Sequence, residues 1–320
     1  MKHLVKYIAK KLAVSIVILL VVSFLAFWIM SVLPGDAALI SLGTEATAER
    51  IEELREEWGL NDPLPERYGA WLWDILHGDF GYSTHYKTAC SEVLAQRMPI
   101  TLLLGLISLV ISVVFGILFG LVAALYRGRI LDTIVTFCAN LGVSLPVFWL
   151  GILLTYLFAV WLRILPVQGY QSPSEGFGGF LYFACLPCIS MAWGSIATIC
   201  RQTRSAVLET LHQSHVKTAR AKGLSEGKIL SRHVLKNSLI PVITLLGFQV
   251  RNLVGGSVVV EQIYNIPGMG RTLIQAVNSR DTDMALACLM IIAAITILSS
   301  LLVDIAYGIV DPRIRRGGSQ

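Results

Sequence analysis

The sequence predicts an all-α, polytopic membrane protein with six transmembrane helices. Three observations carry that expectation. The first is composition: 55% of the 320 residues are hydrophobic and 15% are charged, where a soluble domain carries about 25% charge. The second is spacing. No Asp, Glu, Lys or Arg lies between Lys11 and Asp36, Arg97 and Arg127, Asp132 and Arg163, Glu175 and Arg201, or Asp283 and Asp304. Each gap holds about 20 residues or more, enough to cross a hydrocarbon core of ~30 Å at ~1.5 Å per residue. A sixth apolar block, residues 237–260, is interrupted only by Arg251. The third is the lack of amphipathic stripes in these blocks, which a large soluble helical core would need.

Residues 1–33 read as a basic cytoplasmic segment and the first span. Its apolar run is too long for a cleavable signal peptide, and no small-residue cleavage site precedes "LPGD". Residues 34–97 read as an outer loop, acidic with twelve Asp/Glu against five Lys/Arg. Within it, "TAERIEELREEWGL" places Ile51, Leu54 and Trp58 at helical spacing, with Gly59 as a stop. "RYGAWLWDIL" repeats the pattern with aromatics, as a helix at a membrane interface would. "GDFGYS" follows as a turn. Residues 98–316 hold the other five spans, and 317–320 form a cytoplasmic tail.

Pro146, in "LGVSLPVFWLG", should bend the third span. Gly116-x-x-x-Gly120 in the second would admit a neighbouring helix at close range. "PVQGYQSPSEGFGG" and "NIPGMG" read as outer loops by their Gly and Pro content. Charge asymmetry sets the orientation. Lys2, Lys6, Lys10 and Lys11 precede span one, and Arg127 and Arg129 separate spans two and three. Eight basic residues from Arg201 to Lys236 lie between spans four and five, and Arg313, Arg315 and Arg316 follow span six. Six spans put all of these on the cytoplasmic side, with both termini.

The net charge of +5 sits at span ends and does not suggest nucleic acid; the bilayer is the partner that composition implies. The six cysteines do not form a disulfide framework. Cys138, Cys200 and Cys288 fall in spans, and Cys185-Leu-Pro-Cys188 has redox spacing without a strand–helix context. His212 and His215 lack a glutamate and read as a surface helix rather than a metal site. There is no H-E-x-x-H, no G-x-S-x-G and no pair of carboxylates within a span, so an intramembrane enzyme finds no support.

The most informative stretch is "KTARAKGLSEGKIL", residues 217–230. "GLSEGK" superficially suggests a phosphate loop. Three residues rather than four separate Gly223 from Gly227, Ile229 stands where the magnesium-binding hydroxyl belongs, and no strand precedes it. This chain is not expected to hydrolyse nucleotide. The segment 205–237 reads better as two short cytoplasmic helices, forming either a docking knob for another protein or an ordinary positive-inside loop. The first is 205–221, with Gly223 turning the chain; Ser225 would cap the second, 225–237, and Pro241 would open span five. Ala219, Ala221 and Gly223 are small enough for another protein to approach, with Arg220 and Lys222 supplying charge around the contact.

At this point the chain resembles a family. "ARAKGL", followed eighteen residues after Gly223 by "LIP", resembles the "EAA" loop of membrane permease subunits of ABC importers. Lys217 and Thr218 replace the usual Glu-Ala pair, so Ala219, Gly223 and Pro241 carry over directly. "YIAKKL…LPGD", "GDFGYS", "RILPVQGY", "GGSVVVEQIYNIPGMGR", "NSRD" and "DPRIRR" are similar to the dipeptide/oligopeptide/nickel permease group, in the expected order and across nearly the whole chain. The resemblance implies a type I ABC importer permease in a prokaryotic plasma membrane. It implies a homologous second permease, two ATPases that hold ATP and magnesium, and an extracytoplasmic solute-binding protein. This chain itself would hold no cofactor and no metal. The residues that would couple it to the ATPase are Ala219, Arg220, Lys222, Gly223, Leu224 and Pro241.

Arg251 lies about fourteen residues into span five. An Arg near the bilayer centre costs about 2.5–3.5 kcal/mol on insertion scales, so it should face a water-filled path or pair. Gln249 and Asn252 offer a polar strip beside it, and the three are the expected path residues. Pairing of Arg251 with the sister subunit for assembly alone is the competing expectation. For function, short peptides are the expected cargo, with nickel or a nickel chelate as the alternative. A passive channel or structural membrane subunit is the reading from another class; co-purification of an ATPase separates it from a permease.

Overall fold

In the computed structural model of the chain, residues 2–32, 42 and 47–310 are described; within them the side chains of 2–7, 240, 244, 246–248, 250–254, 304 and 306–310 are not. The chain divides into two compact units. One comprises residues up to Thr101 and from Pro267 onward, the other Leu102–Ile266.

The first unit contains α1 (Lys2–Val32), α2 (Ala48–Glu57), α3 (Leu64–Leu76), a hairpin of β1 (Tyr82–Ser83) and β2 (Thr88–Ala89), the start of α4 (Cys90–Leu125), α11 (Met269–Asn278) and α12 (Thr282–Val310). The acidic loop folds much as its periodicity predicts. The Thr47 side chain caps α2 by accepting from the Arg50 N–H at 3.3 Å, Leu54 is buried, and Gly59 ends the helix at φ +61°. α3 lies on α1 through aromatics. The Tyr68 ring meets Phe24 and Phe27 edge-on at 5.3 and 5.7 Å, and its hydroxyl shares a 2.7 Å hydrogen bond with Ser23. The Ser23 hydroxyl also donates to the Leu20 carbonyl at 2.8 Å, so this buried span hydroxyl is partnered on both sides. Trp73 and Leu76 stay exposed, as on an interfacial helix.

Two features of this unit go beyond the local sequence pattern. "GDFGYS" does more than turn: it leads into the hairpin, paired Tyr82 with Ala89 and Ser83 with Thr88. The Ser83 hydroxyl (2.5 Å) and the His85 N–H (3.0 Å) both donate to the Asp281 carboxylate. Asp281 also accepts from the Met284 N–H at 3.2 Å, capping α12. "NIPGMG" is a loop for only part of its length, because Gly268 is the N-cap of α11. α11 buries Met269, Thr272 and Ala276 on one face; Met269 and Ala276 pack with Val93, Leu94, Met284 and Cys288.

The second unit holds the rest of α4, α5 (Ile130–Ser144), α6 (Val147–Thr155, continuing as a π-helical turn to Trp161), α7 (Phe177–Leu211), α8 (Ser214–Ala221), α9 (Glu226–Ile229) and α10 (Lys236–Ile263). α7 packs against α5, α6 and α10. Gly116 and Gly120 of α4 do admit a close neighbour. A Cβ on Gly116 would sit 2.7 Å from the Ile199 side chain, and one on Gly120 would sit 2.5 Å from the Cys200 carbonyl. Pro146 breaks rather than bends its segment: α5 and α6 meet at 115° across Leu145–Pro146.

Among the described residues, four helices are long and apolar enough to cross a membrane: 8–32, α4, α7 and 282–303. The α5–α6 pair makes a fifth if counted as one broken span. The remaining expected span, the fifth in chain order, falls on α10, whose 28 residues would extend about 42 Å at ~1.5 Å each.

Candidate functional site

The expected coupling loop is the stretch between α7 and α10. Its first helix is not continuous. α7 ends at Leu211, Gln213 takes an extended conformation (φ −69°, ψ 151°), and α8 restarts at Ser214. Val216 and Ala219, three residues apart on one face of α8, are buried. They pack with Ala124, Val207, Ile229 and Val234, with Leu211 and Leu224 against the edge. Ala219 therefore packs within the chain. The surface left to an incoming partner is formed by Lys217, Arg220, Ala221, Lys222 and Gly223, all exposed.

The end of α8 explains the pattern "ARAKGL". The Leu224 N–H donates to the Ala219 carbonyl at 3.3 Å, and the Gly223 N–H to the Arg220 carbonyl at 2.9 Å. This pair of bonds is a Schellman cap, which needs a left-handed residue after the helix C-cap. Gly223 supplies it at φ +77°. Leu224 packs against the apolar cluster that contains Ala219, the kind of apolar closure that accompanies such a cap. A Cβ on Gly223 would meet nothing within 4 Å, so its glycine is required by backbone sign rather than by space inside the chain.

Beyond the cap, Ser225 sits at the N-cap of α9, without a side-chain hydrogen bond. The Arg220 guanidinium grips the Glu226 carboxylate with two bonds, 2.7 and 3.1 Å, across the turn. Those bonds hold the Glu226 carboxyl below its ordinary range and raise Arg220 above its own. Both side chains are largely in solvent, so salt screens the pair. Its effect is to fix the turn between α8 and α9.

Pro241 does not open a helix. The chain is helical from Glu226 to Ile263, through a π-helical stretch at Leu230–Leu235, and Pro241 lies six residues into α10. A proline inside a helix leaves the carbonyl four residues earlier without its N–H partner, here that of Asn237. The expectation that Pro241 opens span five rests on the preference of proline for a first turn; here the helix already begins upstream and runs through it.

Of the expected path residues, Gln249 is buried on α10, where its side-chain oxygen accepts from the Ser195 hydroxyl of α7 at 2.7 Å. The side chains of Arg251 and Asn252 lie outside the described residues. Farther along α10, Tyr264 is also held by hydrogen bonds within the chain. The Tyr264 hydroxyl donates to the Gly151 carbonyl at 3.1 Å and shares a 3.0 Å bond with Ser190. One ion pair has no signal in the sequence. Arg204 of α7 donates through Nε (2.7 Å) and a terminal nitrogen (2.9 Å) to Asp132 of α5. Both residues sit at the edges of apolar blocks, where a charge is expected whether or not it pairs.

The chain matches two family models. Residues 116–316 match the binding-protein-dependent transport system inner membrane component, and residues 4–105 match the N-terminal region of such membrane components. A Brucella abortus protein named as a putative peptide transport system permease is 40% identical over 308 residues, covering 96% of this chain and 98% of that one. The oligopeptide transport system permease protein AppB of Bacillus subtilis is 37% identical over 311 residues, covering 96% and 98%. Among solved structures, an amino acid ABC transporter with histidines superposes with a TM-score of 0.51 at 16% identity, over 70% of this chain and 94% of that one. The inward-facing MetNI methionine transporter gives 0.50 at 18%, over 71% and 97%. The two structures share the fold with this chain. With its apolar helices, this is a multi-pass membrane protein, and it belongs to the family of binding-protein-dependent transport system inner membrane components.

Proposed function

We propose that this chain is one of two homologous permease subunits of an ATP-driven importer in a prokaryotic plasma membrane, and that its cargo is short peptides. The observation that carries this is likeness over full length: the B. abortus and B. subtilis proteins, both named for peptide or oligopeptide transport, match it nearly end to end. An extracytoplasmic binding protein delivers the peptide, and two ATPase subunits hold ATP and magnesium. In this reading the stretch Gly223–Lys228 is not a phosphate loop, since α8 precedes Gly223 where such a loop has a strand. Both termini are cytoplasmic.

The exposed strip Arg220–Gly223 is the surface that enters the ATPase. Ala219 and Leu224 hold it from below, and Pro241 lies in the helix that the loop feeds. Closure of the ATPases moves α8, and rigid-body motion of the helices re-exposes the central path. Gln249, with Arg251 and Asn252 on the same helix, belongs to that path. Purification of the tagged complex tests the reading. The expected result is four membrane-associated subunits, two of them ATPases, and a binding protein that releases short peptides for mass spectrometry. A complex without ATPase would overturn it, and a bound nickel chelate would overturn the peptide assignment.

A further inference from the structure

α5 and α7 meet along an antiparallel seam. At one end Gly142 faces Trp193 and Ala197 so closely that a Cβ there would stand 2.8–2.9 Å from them. In the middle Ala139 packs with Ala197 and Cys200, beside Val135. At the other end is the Asp132–Arg204 pair. Its carboxylate is surrounded by donors: both Arg204 nitrogens, the Gly128 N–H at 2.9 Å and the Thr136 hydroxyl at 3.2 Å. Asp132 is almost wholly buried and stands in the first turn of α5, where the helix dipole favours an anion. Parallel two-bond contacts of this kind fix orientation as well as distance. Arg204 lies one turn before Val207, and Val207 belongs to the cluster that seats α8. One helix, α7, therefore touches the coupling loop with Val207 and holds the start of α5 with Arg204.

We infer that Asp132 and Arg204 are positioning residues that make α5 follow α7 when the coupling loop is displaced, so that the movement is delivered to the Leu145–Pro146 break. The small-residue seam alone resists separation of the two helices but not sliding along it. A fork of two directed bonds at one end resists both. The break at 115° is where the α5–α7 pair gives way to α6, and so where the motion changes direction. This inference rests on the importer reading given above.

The test uses the complete complex in nanodiscs and two conservative substitutions, Asp132→Asn and Arg204→Lys. The first removes the charge but keeps an oxygen for Gly128; the second keeps the charge but loses the fork. Two quantities are read: stimulation of ATP hydrolysis by peptide-loaded binding protein, and the distance distribution between spin labels at Thr133→Cys and Glu209→Cys, on a background without Cys138. Both variants are expected to assemble and to keep basal hydrolysis. Stimulation should fall about tenfold, within the usual range of a coupling free energy, and the label distribution should broaden. Unchanged stimulation with an unchanged distribution would overturn the inference. So would a loss that merely tracks the amount of complex recovered. If Asp132→Asn does not assemble, Arg204→Lys decides. If the unmodified complex shows no stimulation, the importer reading fails, and the clamp is judged on the label distances alone.

Discussion

Replacing Gly223 separates what the coupling loop needs for its own fold from what it presents to a partner. Gly223 has φ +77°, a region that costs an ordinary L-residue roughly 1–2 kcal/mol. Nothing in the chain lies within 4 Å of a Cβ placed there, so no steric cost adds to it. Gly223→Ala should therefore lower the fraction of correctly capped loops by at most about 5- to 30-fold. The apparent affinity for the ATPase falls by the same factor as the competent fraction. Asn tolerates the left-handed region well. Gly223→Asn should keep the Schellman cap while placing a polar side chain on the exposed surface. Binding of purified ATPase to the permease pair in nanodiscs, measured by interferometry, reads both effects. If the bare glycine surface enters the ATPase, Gly223→Asn weakens binding at least as much as Gly223→Ala does. Wild-type binding by Gly223→Asn, with a loss in Gly223→Ala alone, would show that the glycine serves only the turn and would refute the docking assignment.

Substitutions at three further positions test the packing of the loop and of α4 and the bonds that hold the hairpin. Ala219 is buried among Val207, Val216, Ile229 and Val234, so Ala219→Leu should overpack the cluster by about 1–3 kcal/mol and lower the thermal midpoint of the complex in detergent; Ala219→Ser should not. Gly120→Ala places a methyl 2.5 Å from the Cys200 carbonyl, and should cost a similar ~1–3 kcal/mol, seen as faster loss of monodispersity on heating. Asp281→Ala removes the acceptor for the Ser83 hydroxyl and the His85 N–H, bonds worth about 1.5–3 kcal/mol each when one partner is charged. Limited trypsinolysis at Lys87, in the hairpin turn, should accelerate. An unchanged cleavage rate would mean that the hairpin is held by other contacts.

Much of this architecture is legible in the sequence because apolar length and charge position respond to the bilayer directly. The spans at 8–32, α4, α7 and 282–303, the two amphipathic helices of the outer loop, and the close approach at Gly116 and Gly120 all follow from local pattern. The features that local pattern does not carry depend on pairing between distant residues. "GDFGYS" and "NSRD" can be picked out separately, but the bond from Ser83 to Asp281 joins positions almost two hundred residues apart. The Arg204–Asp132 pair is hidden by the rule that basic residues mark cytoplasmic ends. In the coupling loop the helix–glycine–helix plan is readable. The inward turn of Ala219 is not, since a small residue suits a tight internal contact as well as an external one. Position alone also misleads at Pro241, because the local sequence does not show that the helix already begins upstream of it.

An ATP-coupled importer subunit and a passive pore differ in whether cargo can be driven uphill. The direct measurement is uptake of a labelled short peptide into proteoliposomes that hold the complete complex, with binding protein outside and ATP trapped within. The expected result is accumulation above the external concentration that requires both ATP and the binding protein. Equilibration of the peptide without ATP, or accumulation indifferent to the binding protein, would contradict it.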